Sequence, residues 1–295
     1  MIGADAELTE TEMVGILAAQ GWTASRVLPY VGEQRHRTVR AWVDGGRSVW
    51  LKVEAVRSPV AGVAHEAIVL ARLAGQAAIP TLLAQGIGPR GLPFLVTAHI
   101  DGSPLEDRSE ASPEVLGALA CLLMDFSKSL DRSGLRTCTG LDVFAARPPL
   151  RDLLAGQARR GGVDARTAAL MTQLQGRVEP ERVGLVHGSF DTGNVLVEPD
   201  GPLWLVDLEA TRPGPVSLDV ASMAGSIAEW SPEQAGKWIG AAARVLGADW
   251  NPVNVAGYLI LRAAYRELAG VLTTSHRLAI LDVVEDLLEP VSSCG

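Results

Sequence analysis

The chain has 295 residues, of which 47% are hydrophobic, and its formal net charge is −8 at pH 7. This length can bury a large core in one two-lobed unit or in two small domains, whereas the acidic balance argues against nucleic-acid binding, which needs clustered Lys and Arg. We find neither a signal segment nor an apolar run of about 18 residues that would span a membrane, and we therefore expect a cytoplasmic protein.

The first third of the chain predicts one helix and then a set of antiparallel strands. A short helix is expected over residues 9–20, with Thr9 or Thr11 as its cap and Gly21 at its end. β-branched and aromatic residues, separated by turns, then predict strands over residues 26–29, 38–43 and 48–53. A second helix is predicted over residues 61–73, and a further strand over residues 93–100.

Helical patterns dominate from about residue 112 onward, interrupted by strands around Leu185 and Leu203. A β-rich first third followed by a helical remainder is typical of an α+β fold with segregated elements. We therefore predict two lobes. Residues 1–98 would form a small antiparallel β-rich lobe, and residues 99–295 a larger, mainly helical one.

One motif matches the dinucleotide-binding fingerprint by its letters alone. Residues 86–91 read Gly-Ile-Gly-Pro-Arg-Gly, but a Rossmann loop must follow a strand and open a helix. This segment leads into the apolar run Leu92-Pro93-Phe94-Leu95-Val96, which predicts a strand. We therefore interpret residues 86–91 as a turn.

The strongest functional signal is the segment 185–196 together with residues 205–209. His187 and Gly188 follow an apolar stretch and Asn194 precedes another, which predicts a loop between two short buried strands, with Phe190 anchoring the loop in the core. The segment resembles the catalytic and metal-binding loops of the aminoglycoside phosphotransferase/choline kinase family. The resemblance implies a two-lobed protein kinase-like fold and phosphoryl transfer from a nucleotide.

Charged and amide side chains in apolar surroundings form the rest of the predicted site. Lys52 lies between apolar strand neighbours and needs a partner, for which Glu66 on the next predicted helix is suitable. Asn194 and Asp207 offer the oxygen ligands that Mg²⁺ prefers, and Asp207 lies in an apolar run where an uncompensated carboxylate is costly. The resemblance implies that Lys52 reaches the α- and β-phosphates, that Glu66 positions it, and that Asn194 and Asp207 hold the metal. Glu209 is either a further metal-site carboxylate or an ordinary salt-bridge residue.

The resemblance also implies a site for the base and phosphates of ATP or GTP. Residues 94–105 resemble the hinge between the two lobes, where backbone groups bond the base. The base-binding residues expected there are Thr97, Ala98 and Ile100. The loop 30–37, with Gly32 as its only glycine, lies where the family covers the phosphates. His99 is interpreted as a partly buried polar residue.

Ser189 stands where the family carries its catalytic aspartate, so the predicted catalytic residues are His187, Ser189 and Asp191. A serine hydroxyl without an adjacent base cannot accept the acceptor's proton as a carboxylate does, and such a base contributes typically about 10²- to 10⁴-fold. Asp191 would face the same side as Ser189 in an extended segment and would restore the carboxylate. Slow catalysis without a base, and a deliberate replacement of Asp by Ser, are the alternatives. Asp219 resembles the family's later aspartate, which braces the catalytic loop.

The sequence thus leaves two classes of function open. The first is a Mg²⁺-dependent phosphotransferase acting on a hydroxyl of a small molecule, an antibiotic or a peptide Ser/Thr. The second is a pseudokinase-like binding module or partner subunit, which Ser189 favours. Several arginines border the expected acceptor region, namely Arg147, Arg151, Arg159 and Arg160. They either form a solvated helix face or indicate an acidic or peptidic acceptor.

Overall fold

The computed structural model describes residues 8–29, 36–54, 62–75, 78–107, 111–135, 148–199 and 201–289. The helices are α1 (Glu10–Ala19), α2 (Val63–Leu73), α3 (Pro113–Ser133), α4 (Leu150–Arg160), α5 (Ala165–Gln175), α6 (Val216–Ala228), α7 (Pro232–Leu246), α8 (Pro252–Leu268) and α9 (Thr274–Leu288). The strands are β1 (Ala24–Pro29), β2 (His36–Val43), β3 (Arg47–Glu54), β4 (Leu82–Ile87), β5 (Pro93–Ala98), β6 (Ser103–Pro104), β7 (Val183–Val186), β8 (Val195–Val197), β9 (Leu203–Leu205) and β10 (Arg212–Pro215).

Backbone contacts divide the chain into two compact units. The first unit comprises Met1–Gly102 and Glu198–Ala210, and the second comprises Ser103–Val197 and Thr211–Gly295. The antiparallel sheet lies in the amino-terminal part and the helices dominate the carboxyl-terminal part, which confirms the predicted α+β fold class. Within the described ranges, no helix is long and apolar enough to cross a membrane.

The first unit is built on a five-stranded antiparallel sheet with the strand order β1-β2-β3-β5-β4. Helix α1 begins with a capping box, in which Thr9 Oγ1 accepts from the Glu12 amide at 3.2 Å and Glu12 Oε2 accepts from the Thr9 amide at 2.8 Å. Alternate residues of β2 and β3 are buried, and they pack with α1 residues such as Ile16 and Leu17. The opposite face of β3 therefore presents Trp50 and Lys52.

The fingerprint-like segment forms the connection of a β-hairpin. Gly86 and Ile87 end β4, a short 3₁₀ turn covers Pro89–Gly91, and β5 follows. The Gly88 amide donates to the Leu92 carbonyl at 2.8 Å and closes the turn. The turn interpretation is confirmed, because a strand rather than a helix follows the glycines.

The second unit is mainly helical and holds its loops against an aromatic core. Helix α3 begins where Ser112 Oγ accepts from the Val115 amide at 3.4 Å and ends at Gly134, whose φ of 66° suits glycine. Phe126, Phe190 and Trp238 are fully buried, so the prediction that Phe190 anchors its loop in the core is confirmed. Strands β7 and β10 pair antiparallel and bring the two ends of the segment 183–215 together.

Candidate active site

In the first unit, Lys52 lies at the centre of a carboxylate network. Its Nζ is 2.8 Å from Glu66 Oε2, bonds Asp207 Oδ1, and lies 3.9 Å from Glu209 Oε2. Burial by itself would lower the pKa of Lys52, but the charges of Glu66 and Asp207 outweigh this effect and hold the pKa above its ordinary value. The lysine therefore remains a cation. The predicted partnership of Lys52 and Glu66 is present.

Glu66 also fixes the backbone beside Asp207. Its Oε1 accepts from the Leu208 amide at 3.1 Å, while its other oxygen bonds Lys52. Asp207 has a φ of 62°, in the left-handed region, which is unfavourable for residues other than glycine by about 1–2 kcal/mol. A strained residue of this kind persists only when its surroundings hold it, and such residues are common at functional sites. The hydrogen bond from the Leu208 amide to the buried Glu66 carboxylate helps to hold Asp207 in this conformation.

The charges of this network suit a divalent cation. Three carboxylates, from Glu66, Asp207 and Glu209, surround one ammonium group, which leaves an excess of two negative charges. Asp207 is the most exposed of the three, with 38% of its side chain accessible. No cluster of three or more His, Cys, Asp or Glu in the described part of the chain is arranged to hold a metal unaided. Mg²⁺ commonly binds through one or two protein oxygens together with substrate phosphates, so the donor set fits.

In the second unit, Asp219 of α6 binds two backbone amides of the loop 187–194, which the sequence predicts to be catalytic. Its Oδ2 accepts from the His187 amide at 2.6 Å, and its Oδ1 accepts from the Gly188 amide at 3.0 Å. Burial raises the pKa of Asp219, while His187, the two amides and Arg212 oppose this shift. The φ of 82° at Gly188 explains the glycine at that position. The predicted brace is confirmed.

Ser189 and Asp191 lie side by side in this loop. Ser189 Oγ donates to Asp191 Oδ2 at 3.3 Å, so the two side chains meet as the extended-segment argument expected. The Ser189 amide donates to His187 Nδ1 at 3.3 Å. A carboxylate is therefore within hydrogen-bond reach of the hydroxyl that replaces the family's aspartate.

Asn194 is oriented by the same serine. Its Nδ2 donates to the Ser189 carbonyl at 2.9 Å and lies 3.4 Å from Ser189 Oγ. Since the amide nitrogen is used in this way, the carbonyl oxygen Oδ1 is the atom that remains for a metal.

The segment predicted to bind the base is well ordered by its own sheet. Thr97 pairs with Trp50 and with Leu82 across the neighbouring strands. The Ala98 amide already donates to the Thr81 carbonyl at 2.9 Å. The Ala98 amide is therefore already engaged. Of the groups predicted to bond a base, the Ile100 backbone and carbonyl oxygens of the segment remain.

His99 lies on the same segment and contacts Trp50, with 5.8 Å between the ring centroids. Both of its ring nitrogens are buried, and neither has a hydrogen-bond partner among the described residues. Burial lowers the pKa of His99, and the charge of Arg40 lowers it further, which favours the neutral ring.

The remaining predicted residues are those of the loop 30–37 and the arginines of the expected acceptor region. Gly32, with most of the loop 30–37 and Arg147, lies outside the described residues. Arg151, Arg159 and Arg160 are exposed on α4, as a solvated helix face would be.

The structure adds residues that the sequence analysis did not single out. A Cβ atom built on Gly193 would lie 3.2 Å from Glu106 Oε2 and 3.6 Å from Asp191 Oδ1, so both carboxylates border this glycine. Ser226 of α6 bonds the catalytic loop through Thr192, with 2.7 Å between the two hydroxyl oxygens. Arg262 of α8 is half-buried and is influenced by the charge of Asp191. None of these residues belongs to a local motif, so no sequence pattern marked them.

A sheet with a paired lysine, a buried helix glutamate and a loop of the form His-Gly-x-x-x-x-x-Asn together define a protein kinase-like phosphotransferase. Residues 26–258 match the model of the phosphotransferase enzyme family, and the chain belongs to this family. The predicted family and the predicted class of enzyme are confirmed. Comparison with curated proteins gives no match.

Solved structures show the same fold. Macrolide 2′-phosphotransferase type I is 17% identical, with a TM-score of 0.64 over 95% of this chain and 98% of that one. Spectinomycin phosphotransferase in complex with ADP and spectinomycin is 12% identical, with a TM-score of 0.60 over 97% and 96%. A putative fructosamine-3-kinase from Thermobifida fusca is 17% identical, with a TM-score of 0.56 over 96% and 99%. At these identities the likeness concerns the fold.

Proposed function

We propose that the chain is a Mg²⁺-dependent phosphotransferase that moves the γ-phosphoryl group of ATP or GTP to a hydroxyl of a small molecule, an antibiotic or a peptide. The observation that carries this proposal is the network of Lys52, Glu66 and Asp207, because a buried cation with an excess of carboxylates is suited to Mg²⁺-nucleotide. Family membership supports it. The fold relatives include a complex with ADP and phosphotransferases named for antibiotics.

Each residue of the nucleotide site has a role in the proposal. Lys52 binds oxygens of the α- and β-phosphates, and Glu66 keeps the lysine in place. Asn194 and Asp207 would hold Mg²⁺, which would neutralise phosphate charge when bound. The Ile100 backbone and carbonyl oxygens of the segment 97–100 contact the base.

Asp191 is the proposed base. The acceptor's hydroxyl oxygen bonds to the γ-phosphorus while the bond from that phosphorus to the bridging oxygen breaks and the nucleoside diphosphate leaves. The acceptor's proton passes to Asp191, either directly or through Ser189, whose hydroxyl already donates to that carboxylate at 3.3 Å. His187 supports the loop, since its ring nitrogen accepts from the Ser189 amide.

Two single substitutions distinguish the routes. Asp191→Asn is expected to lower kcat by about 10²- to 10⁴-fold, which is the usual contribution of a general base. Ser189→Ala is expected to change kcat by less than about tenfold if the transfer is direct, and as much as Asp191→Asn if the serine relays the proton. Release of nucleoside diphosphate, with water or with a panel of hydroxyl compounds as acceptor, measures both. An unchanged rate in Asp191→Asn would exclude Asp191 as the base.

Nucleotide binding tests the proposal independently of the acceptor. Calorimetric titration with ATP and GTP should show binding that is tighter in the presence of Mg²⁺ and that loses this dependence in Asp207→Asn. Absence of any binding to the unmodified chain would contradict the proposal.

The second candidate is a binding module, and Ser189 is the observation that favours it, because a neutral hydroxyl replaces the family's carboxylate. This candidate expects Mg²⁺-nucleotide binding without phosphoryl transfer to any acceptor. Under it, Asp191→Asn would leave a negligible rate unchanged.

A further inference from the structure

Arg262 is a partly buried cation of α8 whose side chain packs against α6. Its Nη1 donates to Ser222 Oγ at 3.0 Å. A Cβ atom on Gly225 would lie 3.0 Å from Arg262 Cδ and 3.1 Å from its Nε, so any larger residue there would crowd the arginine. The absence of a side chain at Gly225 thus leaves room for the guanidinium to lie against α6.

The same face of α6 carries the catalytic loop. Gly225 and Ser226 come three and four residues after Ser222, so both lie on the same side of the helix as Ser222. Ser226 Oγ accepts from the Thr192 amide at 3.3 Å, next to Asp191. Arg262 and the loop that bears Asp191 are thus neighbours on one helix face, and the charge of Asp191 acts on Arg262.

Unlike its neighbours, Arg262 lacks a carboxylate partner. Arg266, one turn further along α8, pairs with Glu229 at 2.7 Å, and Arg277 pairs with Glu267 at 2.7 Å. Among the described residues, no carboxylate forms an ion pair with Arg262, and its buried Nε has no hydrogen-bond partner. The Nε atoms of Arg266 and Arg277 are also buried and unbonded, but their terminal nitrogens are paired.

The surroundings of Arg262 do not compensate its charge. Burial lowers the pKa of Arg262, and the charges of Asp191 and Glu229, opposed by that of Arg266, do not restore it. A half-buried guanidinium without an ion-pair partner is energetically unfavourable, and an anion at its terminal nitrogens would relieve this cost.

We propose that Arg262 binds an oxyanion of the acceptor, a carboxylate or a phosphate, next to the hydroxyl that is phosphorylated. The two terminal nitrogens of the guanidinium form a planar fork that matches two oxygens of such a group. The carboxylates of Asp191 and Glu106 border Gly193 in the loop, so the hydroxyl end of the acceptor faces the loop and the anionic end faces α8. This inference rests on the proposed function and narrows the acceptor to hydroxyl compounds that carry an anionic group.

Arginine side-chain NMR tests the inference without a known natural acceptor. The Nε–Hε resonance of Arg262 is assigned by its loss in Arg262→Lys, and the probes are D-glycerate, glycerol 3-phosphate and glycerol, added to the protein with Mg²⁺ and ADP. At least one of the two anionic probes should shift this resonance saturably, and glycerol should not. Which anion binds more tightly distinguishes a carboxylate from a phosphate group.

Variants and controls make the outcome decisive. Arg262→Gln should weaken binding of the anionic probe by about 30-fold or more, the effect of removing one member of a partly buried charge pair. Arg182→Gln is the matched control, because Arg182 is exposed and lies 3.6 Å from Asp131, and it should leave the affinity unchanged. Circular dichroism checks that the Arg262 variants are folded.

Two results would overturn the inference. One is the absence of a shift at Arg262 with both anions while Mg²⁺ and ADP still bind, which would leave the proposed function intact. The other is an equal loss of affinity for the anionic probe in Arg182→Gln, which would indicate nonspecific anion binding. Failure of the unmodified chain to bind nucleotide at all would instead contradict the proposed function together with this inference.

Discussion

In each of the two units, a carboxylate accepts hydrogen bonds from backbone amides and so holds a loop of the predicted site. The two carboxylates differ in their other partners. In the first unit, Glu66 accepts from the Leu208 amide and also pairs with Lys52. In the second unit, Asp219 accepts from the His187 and Gly188 amides and is fully buried. The first carboxylate therefore pairs with the lysine of the site while it holds a loop, whereas the second holds its loop through two backbone amides. We expect substitutions in the first unit to affect nucleotide binding and chemistry most, and those around Asp219 to affect stability as well.

Removing the cation of the first unit should have the largest effect. Lys52→Met leaves Glu66, Asp207 and Glu209 without the ammonium that they surround, and it removes the proposed phosphate contact. We expect kcat/KM to fall by about 10³-fold or more, since electrostatic stabilisation of transferring phosphate is usually the largest contribution. Steady-state kinetics of nucleoside diphosphate release measure this.

Lys237→Met is the matched control for that change. Lys237 pairs with Glu233 on α7 at 2.7 Å, and both side chains are exposed. It should retain the original kinetics. Equal losses in both variants would mean that the effect of Lys52→Met does not come from the active site.

The next largest effect concerns the position of the base in the second unit. If Asp191 is the base, Asp191→Asn loses turnover and the double variant Ser189→Asp/Asp191→Asn should recover about 10²-fold of it, because the carboxylate returns to the family's position. Ser189→Asp alone places two carboxylates together and should gain less, since like charges at that distance oppose ionisation. Turnover of the three variants measured side by side decides the matter. A double variant no faster than Asp191→Asn would show that position 189 cannot support the base.

Local sequence patterns predicted the residues whose chemistry conflicts with their neighbours. Lys52 lies in the apolar strand β3, and Asp207 lies in an apolar run two residues after β9; such conflicts are visible without a structure. Residues brought to the site only by packing were not predictable, as Arg262 and Ser226 show, because each contacts a residue more than 30 positions away in the sequence. Strand β4 was missed since Leu82–Ile87 includes Ala, Gln and Gly, which are weak strand formers.

The position of Glu198–Ala210 could not be predicted from the order of the residues along the chain. The sequence assigned every residue after 98 to a single lobe, whereas the contacts place Glu198–Ala210 with the first unit. Leu205 donates to the Ala78 carbonyl at 2.9 Å, a bond across more than a hundred residues that no local pattern signals. This return is what brings Asp207 to Lys52.

Stability measurements should separate the two braces. Asp219→Asn replaces one acceptor oxygen by an amide group that cannot accept from the His187 or Gly188 amide, and we expect the free energy of unfolding to fall by about 2 kcal/mol. Glu66→Gln keeps one acceptor oxygen, and Lys52 keeps Asp207 as a partner, so a loss of about 1 kcal/mol is expected. Urea unfolding of both variants measures the difference. The comparison of the units would be wrong if Glu66→Gln were the more destabilising change.

The smallest expected effect comes from the charge of Asp164, at the amino-terminal end of α5 in the second unit. Asp164 caps α5, accepting from the Arg166 amide at 2.9 Å, and its carboxylate lies 3.1 Å from Arg277. Burial alone would raise the pKa of Asp164, but Thr167, the α5 amides and Arg277 together lower it below its ordinary value of 3.8.

Because the folded-state pKa is the lower one, ionised Asp164 stabilises the protein above about pH 3.8, and this contribution disappears as the pH falls through the folded-state pKa. Asp164→Asn keeps a capping oxygen and removes the charge, so it should cost less than about 1 kcal/mol at pH 7 and nothing measurable in strong acid. Urea unfolding of both proteins across this pH range measures the difference, and a cost independent of pH would show that the charge of Asp164 contributes nothing.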